Sequence, residues 1–109
     1  MASMRSKDGT LTVRHRGEDS HWHLADILWL ESRNHHTCLH LRGGEELIHA
    51  NLVSVEHWLP RDQFWRINRS MIVNRRQVCT VTPKTHGDFT VALNDSTLLP
   101  GSRNCRKGF

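Results

Sequence analysis

Arginine, asparagine and histidine recur in three polar segments of the chain, and these side chains suit contacts with the edges of nucleic-acid bases. A guanidinium can present two parallel N–H donors to guanine, and an asparagine amide can pair with adenine. Serine and lysine suit phosphate oxygens. Hairpin tips are polar in any β protein, so residue types alone favour ordinary solvated loops. The segments are Arg33-Asn34-His35-His36, Asn68-Arg69-Ser70 with Arg75-Arg76, and Ser102-Arg103-Asn104 with Arg106-Lys107.

The charge balance points in the same direction. The 109 residues carry a formal net charge of +4 at pH 7, and most of their 15 cations are arginines. The planar arginine fork favours bidentate contacts with phosphate or guanine. Small surpluses of positive charge are common, so the charge alone only raises the expectation of a polyanionic partner.

Enzymatic chemistry has little support in the sequence. The chain lacks GxxxxGK[ST], HExxH and GxSxG, and it has no GxGxxG after a strand. The paired carboxylates Glu45 and Glu46 lie beside a hairpin turn, where solvated charges are ordinary. We therefore expect no enzyme activity and no cofactor.

One group of side chains has the residue types of a metal site. His36, Cys38 and His40 would share one face of a strand, and histidine and cysteine are zinc ligands. The sequence implies no fourth ligand, and histidines on strands usually pack or face solvent. No metal is expected, and a metal-sensing module remains an alternative.

The cysteines and the hydropathy indicate the compartment. Cys38, Cys79 and Cys105 are odd in number and lack CxxC spacing, which favours reduced cytoplasmic thiols. No apolar run is long enough for a membrane span or a signal peptide, so no membrane contact is expected. Segment 1–9 is predicted to be a polar linker or a vector-derived remnant, as in a fragment of a larger protein, and 10–109 to be one domain.

Alternation of apolar and polar residues predicts strands along most of the chain. Gly43 and Gly44 supply a tight hairpin turn in the first half. A second hairpin is expected around the loop at 83–88. The predicted strands are 10–16, 21–24, 27–30, 37–41, 45–49, 78–82 and 89–93, with another at 97–99.

In one segment, the spacing of apolar residues changes from the two-residue period of a strand to that of a helix. A stripe at helical spacing is formed by Leu52, Val55, Trp58 and Leu59. Asn51 precedes it as a candidate cap, and Pro60 follows it. The predicted fold class is therefore all-β with one short amphipathic helix.

Three segments occur in a distinctive order: DILWLES at 26–32, FWRINRSMIVN at 64–74 and LPGSR at 99–103. The second is similar to the F-x-R-x-H-R-S-x-x-V-N motif of the LytTR family of bacterial DNA-binding domains, and the third to its terminal L-P-V-S-R. The resemblance covers roughly 11–107. Asn68 stands where the motif has histidine, and His36 replaces a frequent aromatic, so the sequence preference of a relative does not transfer.

This resemblance implies an elongated, multi-sheet, sandwich-like β fold whose loops enter successive major grooves of duplex DNA. Carried over by position, the base-contacting residues are His35, His36, Arg69 and Arg103. The residues expected on or near the DNA backbone are Arg33, Asn34, Asn68, Ser70, Ser102, Asn104, Arg106 and Lys107.

The resemblance also implies a regulatory setting. The expected role is the output domain of a bacterial transcriptional regulator, as in two-component response regulators, controlled by a receiver, PAS-like or membrane sensory domain. The expected partner is duplex DNA with promoter repeats, on which two copies would lie side by side. The alternative is a protein-interaction module whose strand edges pair with a partner.

Other motif residues are predicted to be structural. Glu31 and Arg66 are candidates for an ion pair between strands, and Asn74 for a bond to turn backbone. The expected core residues of the motif are Phe64, Trp65, Ile72 and Val73.

Overall fold

The computed structural model describes residues 3–108, and side chains as far as Arg106. Within these residues it contains three antiparallel sheets and one α-helix, in agreement with the predicted all-β class. The elements are β1 (Ser3–Lys7), β2 (Thr10–His15), β3 (Glu18–His23), β4 (Ile27–Arg33), β5 (His36–Leu41), β6 (Gly44–Ile48), α1 (Leu52–His57), β7 (Phe64–Asn68), β8 (Met71–Asn74), β9 (Val78–Pro83), β10 (Phe89–Leu93) and β11 (Leu98–Gly101).

The sheets follow one another along the chain. The first has the order β1-β2-β3, the central sheet β6-β5-β4-β8-β7, and the last β11-β10-β9. Most neighbours in each sheet are joined by short turns. The pairing of β4 with β8 is the exception, since it connects residues about forty positions apart and closes the central sheet around the helical segment.

Strand β1 lies inside the segment predicted as a linker. It pairs with β2, and Met4 opposite Val13 packs against the core. The segment 3–7 has only one large apolar residue, so alternation is too weak to reveal the strand. The sequence prediction therefore missed β1.

Helix α1 forms for the reasons that its sequence indicates. The side chain of Asn51 accepts a hydrogen bond from Ser54 N at 2.9 Å, while Leu52 and Val55 are buried. The helix ends at His57, two residues earlier than the apolar stripe predicts, although Leu59 is still buried. No helix among residues 3–108 is both long and apolar enough to span a membrane.

Two hydrophobic cores hold the layers together. One joins the first sheet, one face of the central sheet and α1, with Leu11, Leu30 and Val55 at its centre. The other joins the opposite face of the central sheet to the last sheet. Phe64, Trp65, Ile72 and Val73 are all buried, which confirms their predicted core role.

Asn74 is a buried polar residue that ties two strands together. Its Nδ2 donates to Ile27 O at 2.9 Å and to Leu24 O at 3.4 Å, while Oδ1 accepts from Arg76 N at 3.1 Å. The end of β8 is thereby joined to the start of β4. The predicted bond to turn backbone is confirmed.

The domain is elongated, as predicted, with principal extents of 47 × 23 × 22 Å. Its longest strand has seven residues, which corresponds to roughly 23 Å. No single strand therefore accounts for the longest extent.

Candidate nucleic-acid interface

Three polar turns meet at one end of the strands. Ser32 N, at the end of β4, donates to Ser70 O in the β7–β8 turn at 2.8 Å. Ser102 N, after β11, donates to Ile67 O at 2.7 Å, and Asn68 Nδ2 donates to Pro100 O at 2.6 Å. We call residues 33–36, 68–70 and 102–106 the loop edge. The structure thus brings together parts of all three segments that the sequence singled out. Arg75 and Arg76 of the second segment lie at the other end of β8, where Arg75 N donates to Gln63 O at 2.7 Å.

The first turn holds two residues in a left-handed conformation. Asn34 has φ 50° and His35 has φ 66°, as in the tight hairpin turn with two positive φ values. Glycine normally takes the second of these positions, so His35 carries a backbone cost. The imidazole of His35 is exposed at the tip of this turn.

His36 occupies a different environment from His35. Its ring meets the ring of His49 edge-on at 4.8 Å, and His49 stacks on His15 at 4.4 Å. Burial of the ring and the neighbouring His49 and Arg16 lower the pKa of His15, which favours its neutral form. His36 is therefore half-buried and oriented by packing.

Arg33 lies at the foot of the first turn and is held by two carboxylates. Its guanidinium donates to Glu31 Oε1 at 2.6 Å and to Glu45 Oε1 at 3.2 Å. These bonds raise the pKa of Arg33. The predicted Glu31–Arg66 ion pair was wrong, since Arg66 pairs with Glu56 at 2.6 Å instead.

The second turn is organised by Arg66. Its guanidinium donates to Asn68 O at 2.8 Å and to Arg69 O at 2.6 Å. Asn68 Oδ1 accepts from Ser70 N at 2.7 Å, so both ends of this amide bond within the domain. The side chain of Arg69 projects from this braced turn and is exposed, as is Ser70. Sequence analysis did not assign this bracing role to Arg66.

The third segment is anchored by a residue that sequence analysis missed. Arg103 N donates to Asp88 Oδ1 at 3.0 Å, and Gly87 lies beneath the Arg103 side chain. Trp65 Nε1 donates to Cys105 O at 2.9 Å, which fixes the following turn. In the sequence, Asp88 is visible only as part of the polar loop at 83–88, and nothing there indicates that it bonds Arg103.

The remaining predicted contact residues are distributed along the same edge. Ser102 is half-buried, while Asn104 and Arg106 are exposed. The Arg106 guanidinium lies 5.8 Å from the centroid of the Phe89 ring. The side chain of Lys107 is outside the described residues.

Comparison with known proteins identifies the fold. Residues 21–109 match the family model described as the LytTr DNA-binding domain. The chain belongs to the LytTR family. The structure is similar to the solved LytTr DNA-binding domain of a Bacillus cereus protein described as a methyl-accepting/DNA response regulator, with a TM-score of 0.78 and 22% identity over 93% of each chain. No curated protein matches this chain significantly.

The LytTR domain thus presents exposed side chains from turns that are hydrogen-bonded to one another. Backbone bonds and the Asn68 amide join the turns to one another, while Arg66 braces the second turn and the Trp65 indole holds the third. The exposed groups at the edge include His35, Arg69 and Arg103, each on a different turn. Such an arrangement can offer several hydrogen-bond donors along one line without reorganising the backbone.

Proposed function

We propose that this LytTR domain binds duplex DNA in a sequence-specific manner and serves as the output domain of a bacterial transcriptional regulator. The observation that carries the proposal is the loop edge, where three arginine-bearing turns are joined by hydrogen bonds. Rigid turns at one end of a sheet can place their side chains against base edges with little ordering cost.

The dimensions of the domain suit binding across more than one groove. Its long extent of 47 Å exceeds the helical repeat of DNA, which is about 34 Å. The family resemblance implies that loops enter successive major grooves, and a domain of this length can reach across one helical repeat.

We assign base contacts to Arg69, Arg103 and the His35–His36 turn. Arg69 and Arg103 are exposed on turns whose backbones are bonded elsewhere, so their guanidinium groups suit guanine edges. Asn68 bonds Pro100 and Ser70 within the domain, which assigns it to positioning these turns. The residues assigned to phosphates or nearby groups are Arg33, Asn34, Ser70, Ser102, Asn104, Arg106 and Lys107.

The first experiment is an unbiased selection from random duplexes with the purified domain, followed by binding measurements on the enriched site and a scrambled control. Enrichment of a short motif that binds more tightly than its scramble supports sequence-specific binding. A lone domain would occupy one half-site, so a tandem duplex and a fused dimer are included. Absence of enrichment in both the monomer and the fused dimer contradicts the proposal and favours a protein-interaction module.

Arg103→Ala is expected to weaken binding to the selected site by about 1–3 kcal/mol, or roughly 5- to 150-fold, and to relax the preference at one base position. Arg69→Ala should do the same at another position. Arg42→Ala is the matched control, because Arg42 lies in the β5–β6 turn at the opposite end of the strands. Fluorescence anisotropy on specific and scrambled duplexes measures the effect. Equal losses on both duplexes would refute a base-contacting role.

Salt should weaken the complex steeply. Each neutralised phosphate contributes about −0.9 to the slope of log K against log salt concentration, so three contacts predict a slope of roughly −3. Arg106→Gln should make the slope less steep by about 1. The same anisotropy assay over a salt series provides the measurement. A flat salt dependence argues against the loop edge as the footprint.

In the full regulator, we propose that this domain acts in the cytoplasm under the control of a separate sensory domain. Dimerisation through that other part would bring two copies onto tandem promoter repeats. The avidity of two linked domains then exceeds that of either alone without any new contact.

A further inference from the structure

A second polar cluster lies on the face of the central sheet that is turned away from α1. Glu31, Cys38 and His40 each offer one ligand atom, and these atoms all lie within 4.8 Å of one another. Glu31 and Cys38 are directly opposite in the β4–β5 register, and His40 follows Cys38 by two residues. Oxygen, sulfur and nitrogen donors therefore converge from two paired strands.

The imidazole of His40 lies between the carboxylates of Glu31 and Glu45. Its Nε2 lies 2.8 Å from Glu31 Oε1, and its Nδ1 lies 3.6 Å from Glu45 Oε2. The Trp29 ring stacks on it at 3.8 Å with an interplanar angle of 4°. A metal-bound histidine usually directs its other nitrogen toward a carboxylate, which fixes the tautomer and ring orientation. Glu45 is placed for that role.

The charges of the cluster are suited to a divalent cation. Arg33 pairs with both Glu31 and Glu45 but supplies only one positive charge against their two negative charges. With Cys38 as a thiolate, the cluster would carry three negative charges against one positive charge, and a divalent ion would balance them.

We propose that Glu31, Cys38 and His40 form a binding site for a divalent transition-metal ion of the zinc class, with Glu45 orienting His40. The mixed ligand set of sulfur, nitrogen and oxygen matches the preference of Zn²⁺. The thiolate is the form of cysteine that binds metal ions, and a bound cation favours that form. Binding therefore releases the thiol proton to solvent.

The proposed ligands differ from the set that the strand pattern indicated, which was His36, Cys38 and His40. His36, two residues before Cys38, packs against His49 instead of joining the cluster. The third ligand comes from the neighbouring strand, at a position that only the β4–β5 register reveals. The site also adjoins the loop edge, because Glu31 holds Arg33 at the foot of the first turn.

Co²⁺ titration of the purified domain tests the proposal, because a bound thiolate gives a sulfur-to-cobalt charge-transfer band that histidine or carboxylate ligands alone do not give. One equivalent of Co²⁺ should produce this band, and one equivalent of Zn²⁺ should remove it. Cys38→Ser should abolish the band. His40→Gln, a variant at a partly buried position, should weaken Co²⁺ binding at least tenfold. This variant replaces Cys38→Ser in the test if Cys38→Ser does not fold.

Two control variants separate this site from other thiols and histidines. Cys79→Ser removes an exposed cysteine on β9, and His49→Gln disrupts the histidine stack. Both should retain the band and the one-to-one stoichiometry. Glu45→Gln should weaken Zn²⁺ binding by about 10- to 100-fold, as measured by competition with a chelator. Absence of a thiolate band in the wild type, or its persistence in Cys38→Ser, overturns the proposal.

Discussion

A Gly101→Val variant is expected to have a free energy of unfolding about 3 kcal/mol lower than that of the wild type, because the added side chain would have to occupy space that is already filled. A Cβ atom at Gly101 would lie less than 3.0 Å from three carbons of the Phe89 ring. No real Cβ contact is that short, so the ring or the strand would have to move. Strand β11 is the element that positions Arg103, and its displacement should weaken DNA binding as well.

Phe89 cannot easily move away. Its ring is 1% exposed and stacks on the ring of Trp65, with centroids 5.3 Å apart and planes 3° from parallel. Trp65 is buried, and its indole N–H donates a hydrogen bond to the carbonyl oxygen of Cys105. The third position of the family's L-P-V-S-R motif is glycine here because Phe89 occupies the space that a larger side chain would need.

Urea denaturation of the variant and of a matched control measures this effect. Gly43→Ala is the control, because an added Cβ there meets no atom within 4 Å. Its stability should stay within about 0.5 kcal/mol of the wild type. In a Phe89→Ala background, Gly101→Val should cost much less than it does alone, because the clash partner is gone. An unchanged midpoint for Gly101→Val in the native background would contradict the packing argument.

An Asn74→Ala variant is expected to lose about 3 kcal/mol of stability, because its amide satisfies several backbone groups in a buried region. Asn74 is 0% exposed, and alanine can replace none of its bonds to Leu24 O, Ile27 O and Arg76 N. The loss should appear as a lower urea midpoint with a similar dependence on denaturant.

The control for this variant is another asparagine that bonds backbone near the same turn. Asn94 is exposed, and its Nδ2 approaches Arg76 O at only 3.5 Å. Asn94→Ala should therefore change stability by no more than about 0.5 kcal/mol. If Asn74→Ala and Asn94→Ala were equally mild, water would be replacing the buried amide and the structural role of Asn74 would be refuted.

Much of the architecture was predictable because local patterns reflect local physics. The alternation of Leu11 with Val13 marks β2, and Asn51 before an apolar stripe marks α1. The motif segments identified the family, whose model matches residues 21–109. The three polar segments of the candidate site were also visible as turns rich in arginine and asparagine.

Partners across strands were not predictable, because register depends on contacts far apart in sequence. Segment 27–30 is apolar throughout, so alternation cannot assign its faces. The structure has a register shift between Ile27 and Trp29, which leaves Ile27 and Leu30 in one core and turns Trp29 toward the other. Glu31 pairs with His40 and not with Arg66 because β8 lies between β4 and β7, and Arg66 is directed toward Glu56 of α1, on the other face of the sheet.

The bonds that hold the loop edge together also bear on how the specificity of such domains can diverge. Two of the links between turns, from Ser32 N to Ser70 O and from Ser102 N to Ile67 O, join backbone to backbone. These links place no demand on the side chains at the tips. Duplicated genes can therefore acquire new target sites by exchanging residues such as His35 or Arg69 while the scaffold is inherited unchanged, and a combinatorial library at those positions can exploit the same freedom.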